Sequence, residues 1–213
     1  MTNVLRTDQV APHADLVKVV QHHQQNPWRK PCPQHTQVAF EQFLARYQSQ
    51  PRPLILDSFC GTGMSTALLA KKHPDKWVVG IDQSAHRLAR HPHSVAENCL
   101  LLRAEAEPFW QCLTEAEIPL YAHWLLYPNP WPKPKQLQRR FHAHPIFPTL
   151  LAISKHIELR SNWKIYLDEF RAGCLKDNRA VSVVREFLPK KAITAFEKKY
   201  LDHKQKIYQL LID

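Results

Sequence analysis

The sequence predicts an α/β fold, an open and mostly parallel sheet with helices on both faces. Three observations predict it. Short apolar runs of strand length recur at residues 54–56, 77–82 and 99–102, separated by helix-compatible stretches; this is the alternation of βαβ units. The first run passes directly into Asp57-Ser58-Phe59-Cys60-Gly61-Thr62-Gly63, a glycine turn suited to the step from strand to helix. The second run ends on Asp82, and Glu105 stands just beyond the third. Ligands of such sheets bind outside the carboxyl ends of the strands, so these three ends mark a candidate site.

The chain has 213 residues, enough for one α/β domain with a sizeable core and a modest extension. The expected division is an N-terminal helical extension over 1–50 and the main domain over 51–213. No apolar window is long enough to cross a bilayer. The first fifteen residues lack the apolar block of a signal peptide. A cytoplasmic protein without a membrane partner is therefore expected. Five cysteines are scattered with no C-x-x-C pair, which argues against a disulfide framework or a zinc site, and no metal is expected. The formal charge is +10, from 29 Lys+Arg against 19 Asp+Glu, which suggests a polyanionic partner and salt-sensitive binding.

In chain order, residues 15–25 read as a helix. Residues 26–33, with Trp28-Arg29-Lys30 among the prolines, read as a surface linker. Phe40, Phe43, Leu44 and Tyr47 are spaced three and four apart and predict an amphipathic helix over 34–48 that packs on the sheet. After the first strand, Ala67, Leu68 and Ala70 give a helix closed by Lys71, Lys72 and His73, where cations suit the dipole. The glycine turn lacks the third glycine of a dinucleotide fingerprint and the lysine of a P-loop. Asp82 follows Gly63 by 19 positions, about the spacing at which a strand-end acid accepts ribose hydroxyls; a role as helix N-cap is compatible with this. The carboxylate of Glu105 has the place to hold the exocyclic amine of an adenine.

A fourth strand is expected over 122–127. The segment after it is the most unusual of the chain. Pro128, Pro130, Pro132 and Pro134 alternate with Asn129, Trp131 and Lys133, and Lys135, Arg139 and Arg140 follow. Alternate prolines fix φ and bar both helix and interior strand, so the chain leaves the sheet as a stiff loop. Its indole and cations suit a nucleobase and its phosphates. Further strands are expected over 163–167, 179–187 and 206–212, with a helix over 193–201 that begins near Lys191 or Ala192 without an ideal cap.

Two sets of motifs carry a resemblance. Asp57, Gly61 and Gly63 resemble the first motif, D-x-x-x-G-x-G, of class I S-adenosylmethionine methyltransferases. Pro128, Pro130, Trp131, Lys133, Arg139 and Arg140 resemble the P-D-P-W-x-K-x-R-H-x-K-R-R signature of the TrmB family, the bacterial tRNA (guanine-N7)-methyltransferases. Thr194-Ala195-Phe196-Glu197 resembles that family's T-x-F-E motif, and Asp168 its T-D position. The resemblance runs from about residue 54 to the C-terminus. It implies a Rossmann-like class I methyltransferase fold with a seven-stranded sheet whose last strand is antiparallel. It also implies S-adenosylmethionine as cofactor, tRNA or another structured RNA as partner, and a monomer or weak homodimer.

By the same resemblance, Asp57, Gly61, Gly63, Asp82, Glu105 and Ala106 hold the cofactor. Lys133, Asp168, Thr194 and Glu197 hold the target nucleotide, with Asn129 and Glu197 nearest the chemistry. Arg139 and Arg140 grip phosphates, and Trp131 stacks on the base or walls the pocket. The sequence also departs from the family. Asn129 replaces the acid of P-D-P-W, Gln136-Leu137-Gln138 replaces H-x-K, Asp82 stands for glutamate, and the first loop differs. Asn129-Pro130-Trp131 is similar to the (D/N/S)-P-P-(Y/F/W) motif of amino-methyltransferases. Three readings therefore stand: a guanine-N7 enzyme, a paralogue acting on an exocyclic amine or another RNA, and an RNA-binding protein without activity.

Overall fold

The computed structural model describes residues 7–26, 28–91, 96–176 and 179–213; Pro27 of the expected linker lies outside them. Among the described residues seven strands form one sheet: β1 (Leu54–Ser58), β2 (Trp77–Asp82), β3 (Cys99–Arg103), β4 (Leu120–Leu126), β5 (Ile157–Ser161), β6 (Arg185–Glu186) and β7 (Tyr208–Ile212). Their order is β3-β2-β1-β4-β5-β7-β6. The first five strands are mutually parallel, and β7 runs antiparallel to β5 and β6. The order reverses at β1, with β2 on one side and β4 on the other, which opens a crevice at their carboxyl ends.

The helices are α1 (Leu16–Gln25), α2 (Gln34–Ser49), α3 (Met64–Lys72), α4 (Ala85–Leu88), α5 (Ala106–Glu115), α6 (Phe147–Ile153), α7 (Lys164–Lys176) and α8 (Ala195–Asp202). Every residue of β1 and β2 is buried, as both faces are covered. Leu54, Leu56, Val79 and Ile81 face the large core built with α2, α5, α6 and α7. Ile55 and Val78 face α3 through Leu69 and Ala70 on the other side. Leu126 and Ile207 pack beneath Tyr200 and Leu201 of α8. Among the described residues, no helix is long and apolar enough to cross a membrane.

The two N-terminal helices are built into this body. Phe40 and Phe43 of α2 belong to the main core, at ring distances of 5.4 and 6.1 Å from Phe109 of α5. Trp28 packs on the same core and accepts a hydrogen bond at its carbonyl from Gln111, so it is neither loose linker nor free aromatic surface.

Three element assignments change. Residues 163–167 are not the fifth strand: that strand is Ile157–Ser161, and Trp163 leads into α7. Tyr166, Leu167, Phe170 and Cys174 form the buried side of that helix, a spacing of three and four that a short window reads as alternation. The expected sixth strand over 179–187 contracts to Arg185–Glu186, with one isolated bridge from Val181 to Ile212. Helix α8 starts later than expected and has a good cap: the Thr194 hydroxyl accepts from the Glu197 amide at 3.0 Å.

Candidate active site

A cavity of about 700 Å³ opens at the carboxyl edge of the sheet, within the usual range of small-molecule sites, about 300–1,000 Å³. At one end its walls are Phe59, Ile81, Asp82, Gln83 and the stretch from Ala104 to Glu107; at the other they are Tyr127, Asn129, Trp131, Arg139, Asn162 and Phe196. Backbone hydrogen bonds set the first end. The Cys60 amide donates to the Ile81 carbonyl at 3.0 Å and the Ala104 amide to that of Asp82 at 3.2 Å. The ends of β1, β2 and β3 are thus laced together. The glycine turn is tied on by the Gly61 amide, which donates to Asp82 Oδ2 at 3.0 Å.

Asp82 is buried. Besides Gly61, it accepts from the Ser84 amide at 2.8 Å and pairs with Arg87 at 3.2 Å through Oδ1. A carboxylate offers about four acceptor sites, so one remains for a ligand hydroxyl even with Arg87 in place. The two glycines differ. Both have positive φ, 62° at Gly61 and 75° at Gly63. A Cβ on Gly61 would meet nothing within 4 Å, whereas one on Gly63 would lie 2.6 Å from Leu101. Open space beside the Gly61 backbone fits close approach of a ligand; Gly63 is required by packing and as N-cap of α3.

Asp57 is fully buried behind this turn. Its Oδ2 accepts from the hydroxyls of Ser65 at 2.6 Å and Thr66 at 2.7 Å, while Oδ1 has no hydrogen-bond partner among the described residues. Burial pushes its carboxyl up to about 6, against the pull of the two hydroxyls. Glu105 stands at the N-cap position of α5, with no side-chain cap bond, and lines the cavity. Its amide donates to Thr36 Oγ1 of α2 at 3.0 Å, a contact across 69 residues that no local pattern announces.

Strain marks the cavity. Among the described residues, five non-glycine residues have φ in the left-handed region. Three of them, Phe59 (66°), Tyr127 (56°) and Trp131 (46°), line the cavity. Each such conformation costs on the order of 1–3 kcal/mol and persists where the surroundings over-determine it. For Tyr127 those surroundings are explicit: its amide donates to the Arg160 carbonyl at 2.9 Å and its phenol to Glu197 Oε1 at 2.7 Å. Burial and the Glu197 carboxylate push that phenol well above its ordinary value, which keeps it a donor.

The second end of the cavity departs from several sequence expectations. Asn129, Trp131 and Arg139 do line the cavity. Asn129 Oδ1 accepts from the Trp131 amide at 3.4 Å, and the Arg139 guanidinium lies 4.9 Å from the Trp131 ring. Lys133 is exposed on the same loop but outside the cavity wall. Arg140 is not available to phosphates: it is 0% exposed, pairs with Glu169 at 2.6 Å and lies 4.8 Å from the Trp163 ring. Asp168 is not in a strand-end loop; it sits inside α7, paired with Lys164 at 2.8 Å, and is absent from the cavity wall.

Glu197 is likewise 0% exposed. It accepts from Tyr127, from Arg160 at 2.8 Å and from the Ile193 amide at 2.7 Å. Thr194 serves as the cap of the same helix. This pair therefore anchors α8 over the end of β4 and β5, and its contact with the cavity runs through Tyr127. Residues that sequence reasoning did not single out include Asn162, Phe196 and Tyr200 on the cavity wall. Phe196 lies inside the T-x-F-E stretch, and its 43% exposure is the unusual feature for a phenylalanine.

The fold has solved relatives. An antibiotic-related methyltransferase matches with TM-score 0.56 at 15% identity over 81% of this chain and 92% of that one. The 16S rRNA methyltransferase KamB matches with TM-score 0.57 at 15% identity over 79% and 90%. A mutant of the 16S rRNA (adenine(1408)-N(1))-methyltransferase from Catenulisporales acidiphilia, solved with cosubstrate SAM, matches with TM-score 0.50 at 16% identity over 80% and 89%. No curated protein is a significant match. A family model described as putative methyltransferase matches residues 51–210; three quarters of the chain lie in that match, and the chain belongs to this methyltransferase family, Methyltransf_4.

Proposed function

We propose that the protein is an S-adenosylmethionine-dependent RNA methyltransferase whose target is N7 of a guanine in tRNA. The cofactor is S-adenosylmethionine, and the first end of the cavity suits it. Asp82 has one acceptor site for a ribose hydroxyl, Glu105 and Ala106 form the wall for the adenine, and Gly61, tied to Asp82 though not itself on the cavity wall, leaves its backbone open to the methionine part. When bound, the cofactor supplies a methyl group on a cationic sulfur that a ring nitrogen with a free lone pair can displace. N7 carries no proton, so no side chain has to act as a base. The protein's part is to align donor and acceptor and to exclude water, and alignment is worth up to about 7–11 kcal/mol in well-oriented systems.

One observation carries the proposal: a single cavity joins the acid-bearing ends of β2 and β3 to the proline-stiffened loop bearing Asn129, Trp131 and Arg139. Trp131 and Phe196 offer aromatic faces to a base, and Arg139 offers a cation to its phosphate. The KamB and adenine-1408 enzymes, named for 16S rRNA substrates, support an RNA acceptor. The N7 and tRNA assignments rest on the signature at 128–140.

Asn129 favours a second acceptor. Its amide replaces an acid where positive charge builds on the base, and an amide oxygen can accept a hydrogen bond from an exocyclic amine. The test uses labelled S-adenosylmethionine with total tRNA and, separately, ribosomal RNA from cells lacking the gene, followed by nucleoside mass spectrometry. 7-Methylguanosine in tRNA is expected. A methylated exocyclic amine would assign the second reading, and RNA binding without transfer would remove the enzyme.

A further inference from the structure

The signature loop is held from behind by a buried ionic cluster that includes the N-terminal segment. Arg140, Glu169 and His142 are all 0% exposed. Arg140 Nη1 donates to Glu169 Oε2 at 2.6 Å, and His142 Nε2 lies 2.9 Å from the same oxygen. Glu169 Oε1 accepts from Gln9 Nε2 and from the His13 amide, each at 2.8 Å. Arg140 Nη2 returns to Gln9 Oε1 at 2.8 Å. The same guanidinium holds the loop backbone through the carbonyls of Trp131 at 3.1 Å and Lys133 at 3.3 Å. Thr7 adds a bond to the Pro132 carbonyl at 2.6 Å, and Leu16 and Val20 of α1 pack on Leu137 and Ala143.

Burial opposes ionisation of Glu169, but the hydrogen bonds from His142 and Arg140, with the His13 amide, outweigh it and hold the carboxyl below its ordinary value; burial lowers His142 as well, so its ring acts there as a hydrogen-bond donor and not as a charge. Both ends of the Gln9 amide are spent on this cluster, although Gln9 lies outside the span matched by the family. Among the described residues His142 Nδ1 has no hydrogen-bond partner, but Arg140, Glu169 and Gln9 are all held by partners that water cannot replace, and such an arrangement fixes a backbone.

We propose that residues 7–20 are part of the acceptor site's machinery: Gln9 and Glu169 are positioning residues that, through Arg140, hold the 128–141 loop where it receives the base. The proposal rests on the RNA-methylation reading only for its kinetic consequence; the structural consequence is independent of it.

Gln9→Ala tests it, because that change leaves the Arg140–Glu169 pair intact; Glu169→Gln would strip a buried guanidinium of its counter-charge and is expected to lower the melting temperature. Amide hydrogen exchange in residues 131–143 is expected to rise roughly 3- to 10-fold in Gln9→Ala, the range of one or two lost hydrogen bonds. Exchange in residues 99–112 and the Kd for S-adenosylmethionine stay within about twofold, below the effect of a single lost hydrogen bond. KM for the RNA rises by a similar factor, roughly 3- to 10-fold, with kcat little changed. The neighbouring control Val10→Ala, at a residue 92% exposed, moves none of these. Unchanged exchange at 131–143 overturns the proposal, as does a loss of cofactor affinity in parallel with RNA affinity. The exchange measurement decides the matter even where no RNA is methylated.

Discussion

The two ends of the cavity are built by different physics. At the cofactor end, contiguous segments do the work: a glycine turn, two strand-end acids and the amides between them, laced by backbone bonds such as Gly61 to Asp82. At the acceptor end, distant side chains do it, through Arg140 with Glu169 and Arg160 with Glu197. Construction from strand ends leaves a record in sequence spacing, the Thr36–Glu105 contact across 69 residues excepted. Ion pairs across 29 and 37 residues do not. The contrast teaches that a charged residue in a recognisable signature need not touch substrate; burial decides whether it binds or braces.

The largest expected effect separates bracing from binding at Glu197. Glu197→Ala leaves Arg160 with Glu158 as its remaining carboxylate and frees Tyr127. Losing one partner of a buried pair typically costs about 3–5 kcal/mol, so a marked fall in melting temperature is expected, with transfer lost through unfolding. A variant of parental stability that had lost only transfer would return Glu197 to the reacting centre.

Asp57 gives the next effect, through pH. Its folded carboxyl sits at about 6, above the unfolded value near about 4, so the native state binds the extra proton between these values. That contribution is fully present below about pH 4 and is lost as pH rises through about 6. The gap between the two values bounds it at roughly 3 kcal/mol. Denaturant melts from about pH 4 to about pH 7.5 should show this loss in the parent and not in Asp57→Asn; identical slopes would show that Asp57 does not carry it.

At the cofactor end, Asp82→Asn turns a doubly accepting carboxylate into an amide facing the Gly61 and Ser84 amides. Hydrogen bonds to a charged group are worth about 1.5–3 kcal/mol, so S-adenosylmethionine should bind roughly 10- to 150-fold more weakly by calorimetry. The smallest effect is expected at the exposed neighbour of Arg140. Arg139→Ala should weaken RNA binding a few-fold, reduce the slope of log K against log salt by about one and leave the melting temperature unchanged. A loss of stability there would erase the distinction between the two arginines.

Much of the fold was legible because βαβ alternation is a local pattern. The buried runs of β1, β2 and β3 and the stripe of α2 lie close to where spacing puts them. β5 was missed because Ile157–Ser161 carries Glu158 and Arg160, charges that look unfit for a buried strand. Arg160 is nonetheless buried, between Glu158, Glu197 and the rings of Trp124 and Phe187, and no window of sequence shows that compensation. The same blindness made Arg140 look like a phosphate ligand and hid Glu169 and Gln9. Asp82 ends β2 and Glu105 stands just past β3, both on the cavity wall, and strand-end positions of this kind are visible in sequence. The sequence cannot show that Leu101 fills the space beside Gly63 while the space beside Gly61 is open.

The central claim is that one cavity holds a sulfonium nucleoside at the β1–β3 end and a base at the 128–141 loop. A crystal structure with S-adenosylhomocysteine tests it most directly. The ribose is expected on Asp82, the adenine against Glu105 and Ala106, and the sulfur turned toward Asn129 and Pro130. A ligand seated elsewhere, or one whose sulfur faces away from that loop, would contradict it.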